Sequence, residues 1–231
     1  MVTHPMHIQN HVGGVRLDQN AFQKGDHAPQ HFAALLGRQA AWVFFFLLTV
    51  GQGLAAEPEF RVWLDAKFMG APVFSPVENA QRTVRVAGRW DGTQLVAFTR
   101  KNWGPLDLQW PAFEAKARPA NSEDFKKLQV SFKRDKRMVI EYAELFSAED
   151  LVSSAVLAPE FGERFEDTLG EVLLLVVPSR SRAFVFPQLA SDVSRYSNLV
   201  WNAYRETAYP VSVELFEWRK GVLRAVGLFE P

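Results

Sequence analysis

The chain has 231 residues, 48% of them hydrophobic and 23% charged, with 26 Lys and Arg set against 26 Asp and Glu. A formal net charge of zero gives no electrostatic reason to bind a polyanion, so nucleic acid is not an expected partner. The absence of cysteine excludes disulfides, iron–sulfur clusters and thiolate zinc sites.

Residues 1–37 are polar, lack hydrophobic period and hold all five histidines, His4, His7, His11, His27 and His31. They read as a disordered extension, or as upstream sequence translated from a start codon placed too early. Residues 38–56 carry the three-part pattern of a signal peptide. Arg38 is the basic flank, Ala40–Val50 is an uncharged apolar run, and Gly51, Gly53, Ala55 and Ala56 form a small-residue exit before Glu57, Pro58 and Glu59. A spanning helix wants about 20 apolar residues, which this run reaches only by counting Gly51, Gln52 and Gly53. Cleavage after Ala55 or Ala56 is therefore expected, with a secreted or periplasmic product that meets the membrane only transiently. The alternative is an uncleaved anchor that tethers the same domain, facing outward. Gly51–Ala56, GQGLAA, matches a dinucleotide fingerprint but runs from a signal core into Pro58 instead of lying between a strand and a helix. It is read as a coincidence.

Residues 57–231 are expected to form one exported α+β domain with neither His nor Cys. Ser–His and Cys–His nucleophile pairs, ordinary zinc sites and common haem ligation are thereby excluded, and no cofactor or metal is expected. Removing the three basic and two acidic residues before position 57 leaves 23 basic and 24 acidic residues. No N-x-S/T sequon occurs in the sequence.

Along this domain, FRVWLDAKF (60–68) reads as a strand. TVRVAGRW and TQLVAFTR flank Asp91-Gly92, the signature of a tight hairpin. KNWGPLDLQWPAF (101–113) is broken by Pro105 and Pro111, which would confine any strand to an edge. ARPANSED (117–124) reads as a long loop, with an internal boundary possible near 117–123. Leu128, Val130 and Phe132, then Met138, Ile140 and Tyr142, alternate with polar residues on either side of a basic tip. Ser147 and Asp150 resemble a capping box, and short helices are expected near 148–170. GEVLLLVVP reads as a central strand covered on both faces, and SRSR turns it into AFVFP. Residues 190–206 show helical period, with Val193, Tyr196, Val200, Ala203 and Tyr204 on one stripe. VSVELFEW and VLRAVGLF close the chain as a hairpin. These elements predict a mainly antiparallel sheet built from hairpins.

Two segments carry a resemblance to a family. RVWLDA (61–66) and VSFKRDKRMVIEYAELFSAED (130–150) resemble the opening and closing motifs of the Sla-type homology domain, an SH3-like small barrel. Arg61, Trp63 and Asp65 match the first motif, and Phe146, Ser147, Glu149 and Asp150 approximate the second. About sixty residues separate the segments where the family has far fewer, and Phe146 stands where the family has Leu. The resemblance implies a peptide- or protein-binding module and brings no catalytic residue.

Three constellations could bear function. Glu160, Glu163, Glu166, Asp167 and Glu171 could supply the paired carboxylates of a glycosidase, although acids at helical spacing ordinarily form a solvated face. On the 190–206 helix, Ser194, Asn198, Trp201 and Arg205 lie opposite the apolar stripe, so an indole sits among hydrogen-bonding groups and could stack on a ligand. The basic tips Lys133, Arg134, Lys136 and Arg137, with Arg180 and Arg182, read as solubilising hairpin ends. The sequence favours a non-catalytic binding or structural domain whose ligand is a protein, a peptide or an envelope glycan. The rival is a carboxylate-dependent hydrolase.

Overall fold

The computed structural model describes residues 59–190 and 192–231. The extension, the signal-like segment and its cleavage positions lie outside them. Two antiparallel sheets with interleaved helices make an α+β fold.

The first sheet is built around β3 (Thr83–Trp90). β1 (Phe60–Ala66) pairs along one side, with Trp63 opposite Val86. β2 (Phe74–Pro76) and β4 (Leu95–Ala97) share the other side, on successive stretches of β3. Gly88 makes this possible, because a Cβ there would strike both the Val96 carbonyl oxygen and the buried Trp63 ring. The β3–β4 connection differs from the expected two-residue turn. It runs over four residues, Asp91–Gln94, because the Asp91 carboxylate accepts from Thr93 N (2.9 Å), Thr93 Oγ1 (2.8 Å) and Gln94 N (2.9 Å) and stabilises a wider loop.

The largest correction lies between 100 and 126. No strand forms at 101–113. Thr99 Oγ1 caps a short helix, α1 (Arg100–Trp103), which passes into a 3₁₀ turn at Gly104–Leu106. α2 (Trp110–Lys126) then absorbs the whole of 117–124, so the expected loop is helix and the possible boundary falls inside it. Its inward positions are Phe113, Ala117, Asn121 and Asp124. Two of the four are polar, so hydrophobic period cannot reveal them, and Pro119 disguises the helix further. Tertiary packing holds it, through Phe113 and Ala117 against Val62, Ala87 and Phe98.

The second sheet has six strands in the order β10-β9-β7-β8-β6-β5: β5 (Gln129–Arg134), β6 (Ile140–Phe146), β7 (Val172–Ser179), β8 (Arg182–Pro187), β9 (Glu214–Arg219) and β10 (Val222–Leu228). β7 and β8 are central and covered on both faces, as their apolar runs require. On one face Leu173, Leu175, Ala183, Val185 and Phe216 meet α3 (Val152–Ala155) and α4 (Phe161–Leu169). On the other, Val176, Phe184 and Phe186 meet α5 (Ser197–Arg205), which a 3₁₀ turn at Ser194–Tyr196 precedes. The helix expected at 190–206 therefore spans 194–205 with its 3₁₀ turn, and α2 is longer. Gly162 of α4 lies flat on Trp218, leaving no room for a Cβ.

Two smaller expectations also change. Ser147 Oγ accepts from Glu149 N and Leu151 N (3.2 and 3.4 Å) and closes a turn, leaving only four helical residues at Val152–Ala155. A register shift pairs Lys133 with Tyr142 and Arg134 with Ile140. That bulge sends Tyr142 toward α5 and Ile140 to the opposite core, although they are two residues apart.

Three polar clasps join the sheets and α2. Arg61 on β1 donates to both Asp124 oxygens (2.8 and 3.2 Å), and Ser154 Oγ donates to the same carboxylate at 2.6 Å. Burial raises the Asp124 carboxyl above its ordinary value, while Ser154 and Arg61 pull it back down. Arg180 donates to Asp65 at 2.6 Å, and its guanidinium lies 5.6 Å from the Trp63 ring and 5.0 Å from that of Tyr209. The Trp63 indole donates to the same carboxylate. Arg61, Trp63 and Asp65 are thus all buried in packing contacts of β1, whereas 130–146 belongs to the second sheet. The third clasp ties Glu214 of β9 to the chain entering β3, at Gln81, Arg82 and Thr83.

Candidate functional site

A groove of about 490 Å³ lies between α5 and the turn after β1. Its floor is Val211, Ser212 and Val213, all buried. That floor is tied to β7, since Val211 N donates to Pro178 O and Ser212 N to Val177 O, each at 3.0 Å. One wall is Trp201 and Tyr204, packed edge to face with centroids 5.5 Å apart. The Trp201 indole N–H is held by Phe229 O at 3.1 Å, which fixes the ring.

The opposite wall is Lys67, Phe68, Gln81 and Arg82. Buried Glu214 anchors it. One carboxylate oxygen accepts from Gln81 N (2.8 Å) and Arg82 N (3.2 Å), the other from Thr83 Oγ1 (2.6 Å). Lys67 N in turn donates to Arg82 O at 2.7 Å. The backbone is therefore pinned, while Phe68 stays 67% exposed and the Lys67 and Arg82 side chains stand in solvent. The Arg205 guanidinium lies over the Trp201 ring, 5.1 Å from its centroid. The groove thus combines an apolar floor, three aromatic rings and a cationic rim, with no acid among its lining residues. Such a surface complements a ligand with an apolar body and a negative charge beside it.

The four residues predicted on this helix separate. Trp201 lines the groove and Arg205 covers its ring. Asn198 is exposed and lines neither this groove nor the hollow beside it. Ser194 belongs to that small hollow, of about 180 Å³, with Val193, Ser197, Leu215 and Phe229, where its hydroxyl donates to Asp192 at 2.6 Å. Trp201 is half-buried, between full exposure and full burial. Tyr204 belongs to the apolar stripe in the sequence, yet it forms groove wall. The far wall is invisible to sequence reasoning because it comes from more than a hundred residues away. The one local signal is Lys67-Phe68-Met69, an apolar pair at a turn closed by Gly70 in the left-handed region (φ 68°).

The carboxylate candidates line a different cleft, of about 670 Å³, among α2, α4 and the β9–β10 turn. It holds Glu163, Glu166 and Glu171, together with Glu114, Arg85, Arg118 and Lys220. Glu160 instead accepts from Ser122 Oγ at 2.8 Å, and Asp167 is exposed outside the cleft. Glu114 is paired with Arg85 at 2.8 Å. Glycosidic acid catalysis asks for one carboxyl sheltered from water in an apolar pocket. Glu163, Glu166 and Glu171 are all solvent-exposed. Among the described residues no group of three or more His, Asp or Glu side chains is arranged to hold a metal ion, and no helix is long and apolar enough to cross a membrane.

No family model matches the chain, and neither a curated protein nor a solved structure is significantly similar to it.

Proposed function

We propose that this is an exported, non-catalytic binding domain whose groove beneath Trp201 takes a segment of a partner protein or peptide bearing an aromatic or aliphatic side chain next to a carboxylate. The observation that supports this best is the composition of the groove, with aromatic walls, a mostly apolar floor and a rim whose only charged side chains are cationic. A glycan fits less well, because sugar hydroxyls need acceptors and this groove offers no carboxylate. Export rests on the signal-like pattern of residues 38–56.

The test is a titration of the protein with a synthetic acidic peptide carrying one Phe among Asp residues, read by tryptophan fluorescence. A saturable change that weakens with salt and is absent in Trp201→Phe supports the reading. An identical change in Trp201→Phe, or none at millimolar peptide, refutes it.

The rival hydrolase gains one observation, the placement of three of its five carboxylates on one cleft. Their exposure to solvent weighs against it.

A further inference from the structure

The β5–β6 hairpin ends in a connection that takes no part in the grooves or the clasps. The backbone ladder from β6 to β8 stops at Ala143, opposite Val185, so from Phe132 to Tyr142 the two strands pair only with each other. The tip is locked from within. The Asp135 carboxylate accepts from Arg137 N (2.8 Å) and Val139 N (2.9 Å), Asp135 N donates to Val139 O (2.8 Å), and the Arg134 guanidinium donates to Met138 O (2.8 Å). Met138 takes the left-handed backbone (φ 67°), a conformation that Gly or Asn adopts at less cost. That turn holds two neighbouring apolar side chains in solvent, Met138 at 68% and Val139 at 60% exposure.

Four exposed cations surround the pair, Lys133, Arg134, Lys136 and Arg137. The acids nearest in the hairpin are already engaged. Asp135 is taken up by the turn, Glu141 is paired with Arg195 (2.9 Å), and Glu144 is shared between Lys133 and Arg182 (3.8 and 3.5 Å). Among the described residues Arg134, Lys136 and Arg137 form no ion pair. Solubility accounts for the cations but not for two apolar side chains among them. A partner for this surface is negative at its face and apolar just beneath. It also receives a convex tip, because no residue of the hairpin lines any of the concavities described above. A bilayer containing anionic phospholipid has these properties, with headgroup phosphates above hydrocarbon. An acidic protein surface answers the charge but sets carboxylates against Met138 and Val139.

We propose that the hairpin tip 133–139 is a membrane-contact site, at which Met138 and Val139 enter the interfacial layer of an anionic bilayer while Arg134, Lys136 and Arg137 meet the lipid phosphates. The contact is peripheral, needs no spanning helix and is independent of the Trp201 groove.

The experiment places the full-length protein, isotope-labelled at its methionine methyl groups, on nanodiscs of phosphatidylcholine and phosphatidylglycerol that carry a spin-labelled headgroup. By NMR the Met138 methyl signal is expected to be lost beside the spin label. The signal of Met69, 50% exposed on the turn after β1, persists as the internal reference. Lys136→Glu with Arg137→Glu restores the Met138 signal without lowering the melting temperature, and added salt does the same for the wild type. Val139→Ser keeps every cation and weakens disc binding about fivefold. The proposal is overturned if the Met138 signal persists on anionic discs, if Met69 is lost to the same extent, or if the double charge reversal with an unaltered melting curve loses the Met138 signal as the wild type does. It is also overturned if Val139→Ser binds the discs unchanged, since charge alone, which an acidic protein would satisfy equally, would then explain the contact.

Discussion

At the junction of the two sheets, charged side chains are out of solvent and paired. Arg61 is held by Asp124 and Glu59, Asp65 by Arg180, Trp63 and Ala66 N, and Glu214 by two backbone N–H groups and Thr83. Around the Trp201 groove the pattern is reversed. Lys67, Arg82 and Arg205 are exposed, and among the described residues their side chains form no ion pair. The contrast separates two uses of charge in one chain. Buried ions must be satisfied internally or the fold fails, whereas rim cations that the fold does not use remain available to a ligand.

Unpairing the interior should have the largest effect. Asp124→Ala strands the Arg61 guanidinium and should cost about 3–5 kcal/mol, measured by urea denaturation. Replacing Arg61 and Asp124 together by Leu should recover much of that loss, because desolvation of both charges is then avoided. Equal losses in the single and double variants would show that the pair is not the clasp described. Glu214→Ala should cost about 1–3 kcal/mol by leaving Gln81 N, Arg82 N and Thr83 Oγ1 unpaired. It should also loosen the far wall of the groove, seen as faster amide exchange at Gln81 and Arg82.

At the rim, the expected effects move from stability to binding. Trp201→Ala should lower affinity for the acidic peptide by about tenfold or more. Lys67→Ala with Arg82→Ala should leave the melting temperature unchanged while slowing association and flattening its salt dependence. A melting temperature that falls with the paired change would place these cations with the structural ones.

The smallest expected effect sharpens the boundary between the two classes. Asp150 is half-buried beside Arg180, and its carboxyl is raised by burial, with Arg180 opposing. A raised folded value means the native state holds its proton longer than the unfolded chain. The associated stability is present below the ordinary carboxylate value and is lost as pH rises through the raised one. Asp150→Asn keeps the left-handed conformation at this position (φ 58°), which Asn tolerates. It should therefore match the wild type in acid and be slightly more stable at neutral pH. A wild type more stable than the variant at neutral pH would contradict that sign.

Much of the fold is legible in the sequence, but little of the site. The β7 run Val172–Val177 announces itself as an unbroken apolar stretch of strand length, and the stripe of Val200 and Ala203 by its helical period. α2 does not, since Asn121 and Asp124 occupy its inner face and Pro119 interrupts its pattern. Trp201 can be singled out locally. Its partners across the groove, Phe68 and Arg82, cannot, because only the Glu214 clasp and the strand order bring them within reach. Arg61, Trp63 and Asp65 stand out as a motif, and each is buried in the clasps that hold β1 in place.

We propose that this domain meets its ligand in the groove between Trp201 and Phe68. The most direct measurement is an NMR map of backbone and indole shifts on adding the acidic Phe-bearing peptide. The account predicts the largest changes at Trp201, Tyr204, Phe68 and Arg82, with the cleft around Glu163 and Glu166 unmoved. Changes centred on that cleft, with Trp201 silent, would contradict it.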